Sequence, residues 1–101
     1  MKKQEAKELT LEVWRYLAEH PEIDSKANLP PQLFSKINML LYKCPLCHVL
    51  RDCYTDCPLN KPSPCFCGDS LYWGWLNADT PRKRKNAAQK IVKAVQAWRP
   101  E

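Results

Sequence analysis

Six cysteines, Cys44, Cys47, Cys53, Cys57, Cys65 and Cys67, fall within 24 residues of a 101-residue chain. A lone thiol behaves as a small core residue, but six so close together either bridge covalently or hold a metal. The stretch around them leaves few alternatives. Pro45, Pro58, Pro62 and Pro64 interrupt regular structure, and residues 58–68 hold too few apolar side chains to pack by burial. The cysteines are the groups left to fix the middle of the chain.

Compartment weighs on the choice between bridges and metal. The N-terminus Met1-Lys2-Lys3-Gln4-Glu5 begins basic, but Glu5, Lys7 and Glu8 interrupt any apolar leader, and no run approaches a membrane span of ~18 apolar residues. The expectation is a cytoplasmic chain without a membrane partner. Structural disulfides are rare in that reducing compartment, which favours metal.

The spacing is C-x2-C-x5-C-x3-C-x7-C-x-C. In Cys44-Pro45-Leu46-Cys47 a gap of two residues lets both sulfurs turn to one point, about 2.3 Å from a zinc ion. Two further ligands must come from Cys53, Cys57, Cys65 and Cys67. Cys57 with Cys65 would close a loop over the poorly packed stretch, and Cys53 could replace either. Cys65 and Cys67 flank one residue, a hard geometry for a single tetrahedral ion, so at most one of them serves the first metal. Zinc is the leading reading. An iron–sulfur cluster, which also takes four thiolates, is the alternative. His48 directly follows Cys47, and adjacent ligands rarely reach one tetrahedral centre, so it is assigned a supporting or surface role.

Either side of this block the pattern is helical. Over residues 5–20, Leu9, Val13, Tyr16 and Leu17 share one face, with Trp14 at its margin, and Pro21 closes the segment. His20 there suits the negative end of the helix dipole. Pro30-Pro31 opens a second helix with the stripe Leu33, Phe34, Ile37, Leu40 and Leu41, running to about Lys43. Within the cysteine block, residues 48–54 could form two helical turns, and a small β-hairpin could lie at 57–67. Residues 71–76 read as a short aromatic helix. Asp79, Thr80 and Pro81 signal the start of a last helix with the stripe Ala88, Ile91, Val95 and Trp98. The fold class is therefore mainly α: a small helical domain around a central cysteine-rich, metal-stapled loop. One domain is expected over residues 1–101. It comprises an N-terminal helical pair (1–43), the metal loop (44–68), and an aromatic helix with a basic C-terminal helix (69–101).

The run Leu11-Glu12-Val13-Trp14-Arg15-Tyr16-Leu17-Ala18-Glu19-His20-Pro21, then Leu29-Pro30, Cys44-Pro45-Leu46-Cys47, Cys57-Pro58-Leu59 and Cys65, with Tyr72 and Trp75 behind, resembles a family of small bacterial and phage-associated cysteine-rich proteins. The resemblance implies a shared metal-type site at Cys44, Cys47, Cys57 and Cys65, with Cys53 among them, and implies no activity or substrate. Cys67 lies outside the pattern. The fungal two-zinc, six-cysteine cluster is a poorer comparison, because its basic helix between the cysteines is absent.

Charge is uneven. Residues 1–43 carry seven Lys/Arg against six Asp/Glu, residues 44–80 two against four, and residues 81–101 seven against one. The formal net charge of +5 thus belongs to the tail. Arg82-Lys83-Arg84-Lys85 sits where the positive end of a helix dipole disfavours cations. Either the helix begins later, with Asn86 and Gln89 as a capping box, or the run meets an anion such as the phosphates of nucleic acid. Tyr72, Trp73, Trp75 and Phe66 could stack on bases, although aromatics in a small domain more often form its core.

No set of side chains reads as catalytic. Gly68 and Gly74 are the only glycines, so there is no phosphate-cradling loop, and Cys47 with His48 would make an awkward dyad. The functional expectation is a structural-zinc module that binds nucleic acid through Arg82, Lys83, Arg84 and Lys85, with no small-molecule substrate. A protein-interaction adaptor and a thiol-redox sensor using Cys44 and Cys47 are the alternatives.

Overall fold

The computed structural model describes residues 2–38 and 71–99, and every structural statement below concerns these. They are mainly helical: α1 (Lys3–Glu19), a short 3-10 turn (Lys26–Asn28), α2 (Pro31–Ile37), α3 (Leu71–Leu76) and α4 (Pro81–Ala97). No strand occurs among the described residues. The continuation of the second helix toward Lys43, the turns at 48–54 and the hairpin at 57–67 lie outside them.

Local chemistry accounts for most helix ends. At the start of α1, the Glu5 carboxylate accepts the backbone N–H of Lys2 at 3.4 Å, satisfying one orphan donor. The His20 N–H donates to the Tyr16 carbonyl and closes α1, after which Pro21 cannot continue the helix. The Ser25 hydroxyl accepts from Ala27 N to start the 3-10 turn, and Pro31 occupies the first position of α2.

The buried face of α1 is Ala6, Thr10, Val13, Trp14 and Leu17. This rotates the expected stripe. Trp14 lies at the centre of the core, 2% exposed, and not at the margin, whereas Leu9 and Tyr16 are half-buried. Two small side chains, Ala6 and Thr10, take fully buried positions on the rotated face. Thr10 tolerates burial because its hydroxyl donates to the Ala6 carbonyl at 2.7 Å.

One core joins the described segments. Val13, Trp14 and Leu17 of α1 meet Leu29, Leu33, Ile37, Trp75, and Ala88, Ile91 and Val95 of α4. Trp14 receives two rings edge-on, Trp75 with centroids 5.1 Å apart and Tyr72 at 6.1 Å. Edge-to-face geometry places a positive ring edge against a negative face, contributing about 0.5–1.5 kcal/mol per pair beyond burial. The aromatics of α3 are thereby committed to packing. Lys26, 8% exposed, lays its ammonium over the same group, 4.8 Å from the Tyr72 ring centroid and 5.5 Å from that of Trp14. Its aliphatic stem covers apolar surface while the charge sits on ring faces.

α1 and α4 run antiparallel, and a cation ties them at each end. Lys7, near the start of α1, donates to the carbonyls of Trp98 at 2.6 Å and Gln96 at 3.2 Å, where the last turn of α4 leaves acceptors unpaired. Arg84, in the first turn of α4, donates from Nε to the Pro21 carbonyl at 2.7 Å, just beyond the end of α1.

Candidate nucleic-acid interface

The last helix begins at Pro81, with Thr80 as its N-cap: the threonine hydroxyl accepts the Lys83 N–H at 3.2 Å. The later start at Asn86 is therefore corrected. A side-chain cap and a proline with no N–H to satisfy outweigh the cost of cations in the first turn. Asn86 and Gln89 become exposed positions in mid-helix.

Asp79 offsets part of that cost. Its carboxylate lies 3.0 Å from the Lys83 ammonium, one turn on, and this hydrogen bond and charge hold its carboxyl below the ordinary 3.8. A lowered folded-state value means that the pair's small contribution is complete above about 3.8 and disappears as pH falls through the lowered value. Both ends are exposed, so the pair is easily exchanged for another anion.

The four expected contact residues divide by role. Arg82 and Lys85 are exposed, Lys83 is exposed and paired, and Arg84 turns inward. Arg84 engages backbone carbonyls, adding a 3.4 Å contact from Nη1 to Ala78 O beside the one to Pro21 O. Arg84→Gln should therefore lower stability by about 1.5–3 kcal/mol, the scale of charge-assisted hydrogen bonds, while leaving the salt slope of any anion binding unchanged. Lys85→Gln should do the reverse. Denaturant melts and salt titrations of the two variants check both halves.

Beyond the first turn, Lys90 and Lys93 continue the exposed face, with Asn86, Gln89 and Gln96 between. From Pro81 to Ala97 the helix has six Lys/Arg and no Asp or Glu. At ~1.5 Å per residue the helix is about 25 Å long, and its exposed positions from Arg82 to Gln96 are all cations or amides. Arg82 with Lys85 and Lys90 with Lys93 are like-charge neighbours at i,i+3, each pair destabilising by about 0.2–0.5 kcal/mol. Among the described residues, the one ion pair made by the helix is that of Lys83 with Asp79, which lies just before its N-cap.

Along one edge the helix borders a groove of about 510 Å³ between α1 and α4, lined by Arg15, Ala18, Glu19, Gln89, Val92, Lys93 and Gln96. Arg15 brings a further cation from α1, and Glu19 a carboxylate one turn away. Sequence reasoning missed Arg15. It reads as one polar position on an amphipathic helix, and only the antiparallel pairing places it beside Lys93.

The described aromatics of α3 follow the core reading and not the base-stacking one. Trp75 is buried, Tyr72 faces Trp14, and Trp73 is half-buried. His20 stacks on Tyr16 with centroids 4.1 Å apart, and its Nδ1 lies 3.3 Å from Glu22. The metal candidates Cys44, Cys47, Cys53, Cys57 and Cys65, with Cys67, His48 and Phe66, lie outside the described residues. Among the described residues no three His, Cys, Asp or Glu side chains are placed to hold an ion, and no helix is long and apolar enough to cross a membrane. Compared with protein-family models, curated proteins and solved structures, the chain has no match.

Proposed function

We propose that this is a small nucleic-acid-binding module in which α4 supplies the contact surface and a structural metal on the cysteine block holds the chain between the helices. The observation that carries the binding half is the carboxylate-free face of α4. Cations repel one another along it, and a polyanion relieves that repulsion while releasing its own counterions. The helix is anchored for such a role: its buried stripe Ala88, Ile91 and Val95 sits in the core, and Lys7 and Arg84 tie down its two ends.

The metal half rests on the chemistry of the donor set. Cys44 and Cys47 form the two-residue-gap chelate, Cys57 and Cys65 complete four thiolates, and Cys53 is the exchangeable candidate. Zinc is the expected ion and an iron–sulfur cluster the alternative. In either case the group would fasten the polypeptide and take no part in a reaction.

The adaptor reading needs an exposed apolar or aromatic face. Among the described residues Leu76 is the one large apolar side chain left exposed, so the polar reading is preferred. The thiol-redox reading depends on Cys44 and Cys47 alone.

Retention on heparin separates these. The native protein should be held at low salt and elute as salt rises. The Arg82→Gln/Lys85→Gln/Lys90→Gln/Lys93→Gln variant, whose four side chains all face solvent, should flow through while keeping its melting temperature. Equal retention of both proteins would overturn the assignment to α4.

A further inference from the structure

The exposed face of α4 is ordered as well as basic. Arg82, Asn86, Gln89 and Lys93 follow one another at steps of four, three and four residues, forming a single line along the centre of the solvent side. Lys85 lies to one side of that line, and Arg15 of α1 adds a cation in the groove farther along the helix, beside Gln89 and Lys93. Lys83 and Lys90 lie to the other. A central row of bidentate-capable side chains is thus bracketed by two rows of cations.

We propose, building on the nucleic-acid reading above, that α4 is a major-groove helix for double-stranded DNA. Arg82, Asn86, Gln89 and Lys93 face base edges, and Lys85 with Arg15 and Lys90 with Lys83 contact the two bordering phosphate strands. Three physical points carry this. An α-helix with side chains is about 10–12 Å across, matching a B-form major groove about 12 Å wide. Asn and Gln amides form paired hydrogen bonds with adenine, and Arg with guanine, so the central row has the chemistry that reads bases, whereas flanking lysines neutralise phosphates as point charges. Single-stranded binding draws on exposed aromatic platforms, and the described aromatic rings are all buried or half-buried. Duplex RNA presents a major groove too narrow for a helix. Glu19, in the same groove as Arg15, opposes a phosphate there, so the α1 side contributes the weaker of the two rows.

Fluorescence anisotropy of the full chain, at one salt concentration, with a 20-bp random-core DNA duplex, the corresponding single strand and a duplex RNA of equal length, tests the proposal. Duplex DNA should bind about tenfold or more tighter than either competitor, as groove complementarity adds to charge. Bulky groups at cytosine C5, which fill the major groove, should abolish the advantage, while a minor-groove ligand should leave it intact. Asn86→Ala/Gln89→Ala should weaken selection of a preferred sequence from the random pool without altering the salt slope. Equal affinity for all three nucleic acids, or an advantage unaffected by C5 groups, would overturn the major-groove inference while leaving the polyanion reading standing. Failure to bind any of them at low salt would overturn both.

Discussion

Replacing Trp14 by alanine is expected to cost about 3–5 kcal/mol and leave the chain largely unfolded at physiological temperature. Trp14 is the ring on which the others converge, since Trp75 and Tyr72 meet it edge-on and the Lys26 ammonium lies over it. Its removal opens a large cavity, cancels two aromatic pairs and takes one of two ring faces from a buried cation. A domain of this size has a total stability on the order of 5–15 kcal/mol, so the loss approaches all of it at the lower end. Trp14→Phe keeps a ring in place and should cost appreciably less. Urea melts followed by far-UV circular dichroism measure both. A Trp14→Ala protein with a wild-type midpoint would show that the core is held elsewhere.

Removing the proposed structural metal is expected to have an effect at least as large. Thiolate–zinc bonds contribute about 10–16 kcal/mol of apparent binding energy in small zinc domains, where binding and folding are one event. Here the proposed donors Cys44, Cys47, Cys57 and Cys65, with Cys53 as the exchangeable candidate, lie between α2 and α3 in the chain, so a shared ion would constrain how the two halves meet. A strong chelator under reducing conditions, or Cys44→Ser/Cys47→Ser, should abolish the cooperative melt. Readdition of zinc to the chelated wild type should restore it. Elemental analysis with a thiol count identifies the ion, and visible absorbance would identify an iron–sulfur cluster instead. A reduced, metal-free protein with an unchanged melting temperature would remove the metal from the account.

Periodicity revealed the helices more readily than it revealed their faces. Apolar spacing located α1 to within two residues at its start and one at its end, and Pro81 behind Thr80 located the start of α4. The face of α1 is rotated from the expected one because apolar weight counts Leu9 and Tyr16 heavily and Ala6 and Thr10 lightly, whereas the small pair is the more deeply buried. Lys26 illustrates a second limit. In a polar connector a lysine reads as solvated, and only the assembled rings of Trp14 and Tyr72 make a buried position favourable for it.

The candidate interface was legible as composition but not as roles. Arg82-Lys83-Arg84-Lys85 stands out as one basic run, yet the helical turn separates its members. Arg84 is inward because its acceptors are the backbone carbonyls of Pro21 and Ala78, groups that no side-chain pattern reports. Asn86 and Gln89 imitate a capping box, and only the observed cap at Thr80 releases them to the exposed face.

The most direct measurement is the salt dependence of binding to a short DNA duplex. The four exposed cations placed against the phosphate strands, Arg15, Lys83, Lys85 and Lys90, each displacing counterions from one phosphate, predict that log Kobs falls against log salt with a slope of about −3 to −4. Changing all four to glutamine should bring the slope near zero, whereas Arg84→Gln should leave it in place. A flat dependence in the native protein, or a steep one that survives the fourfold change, would contradict α4 as the binding surface.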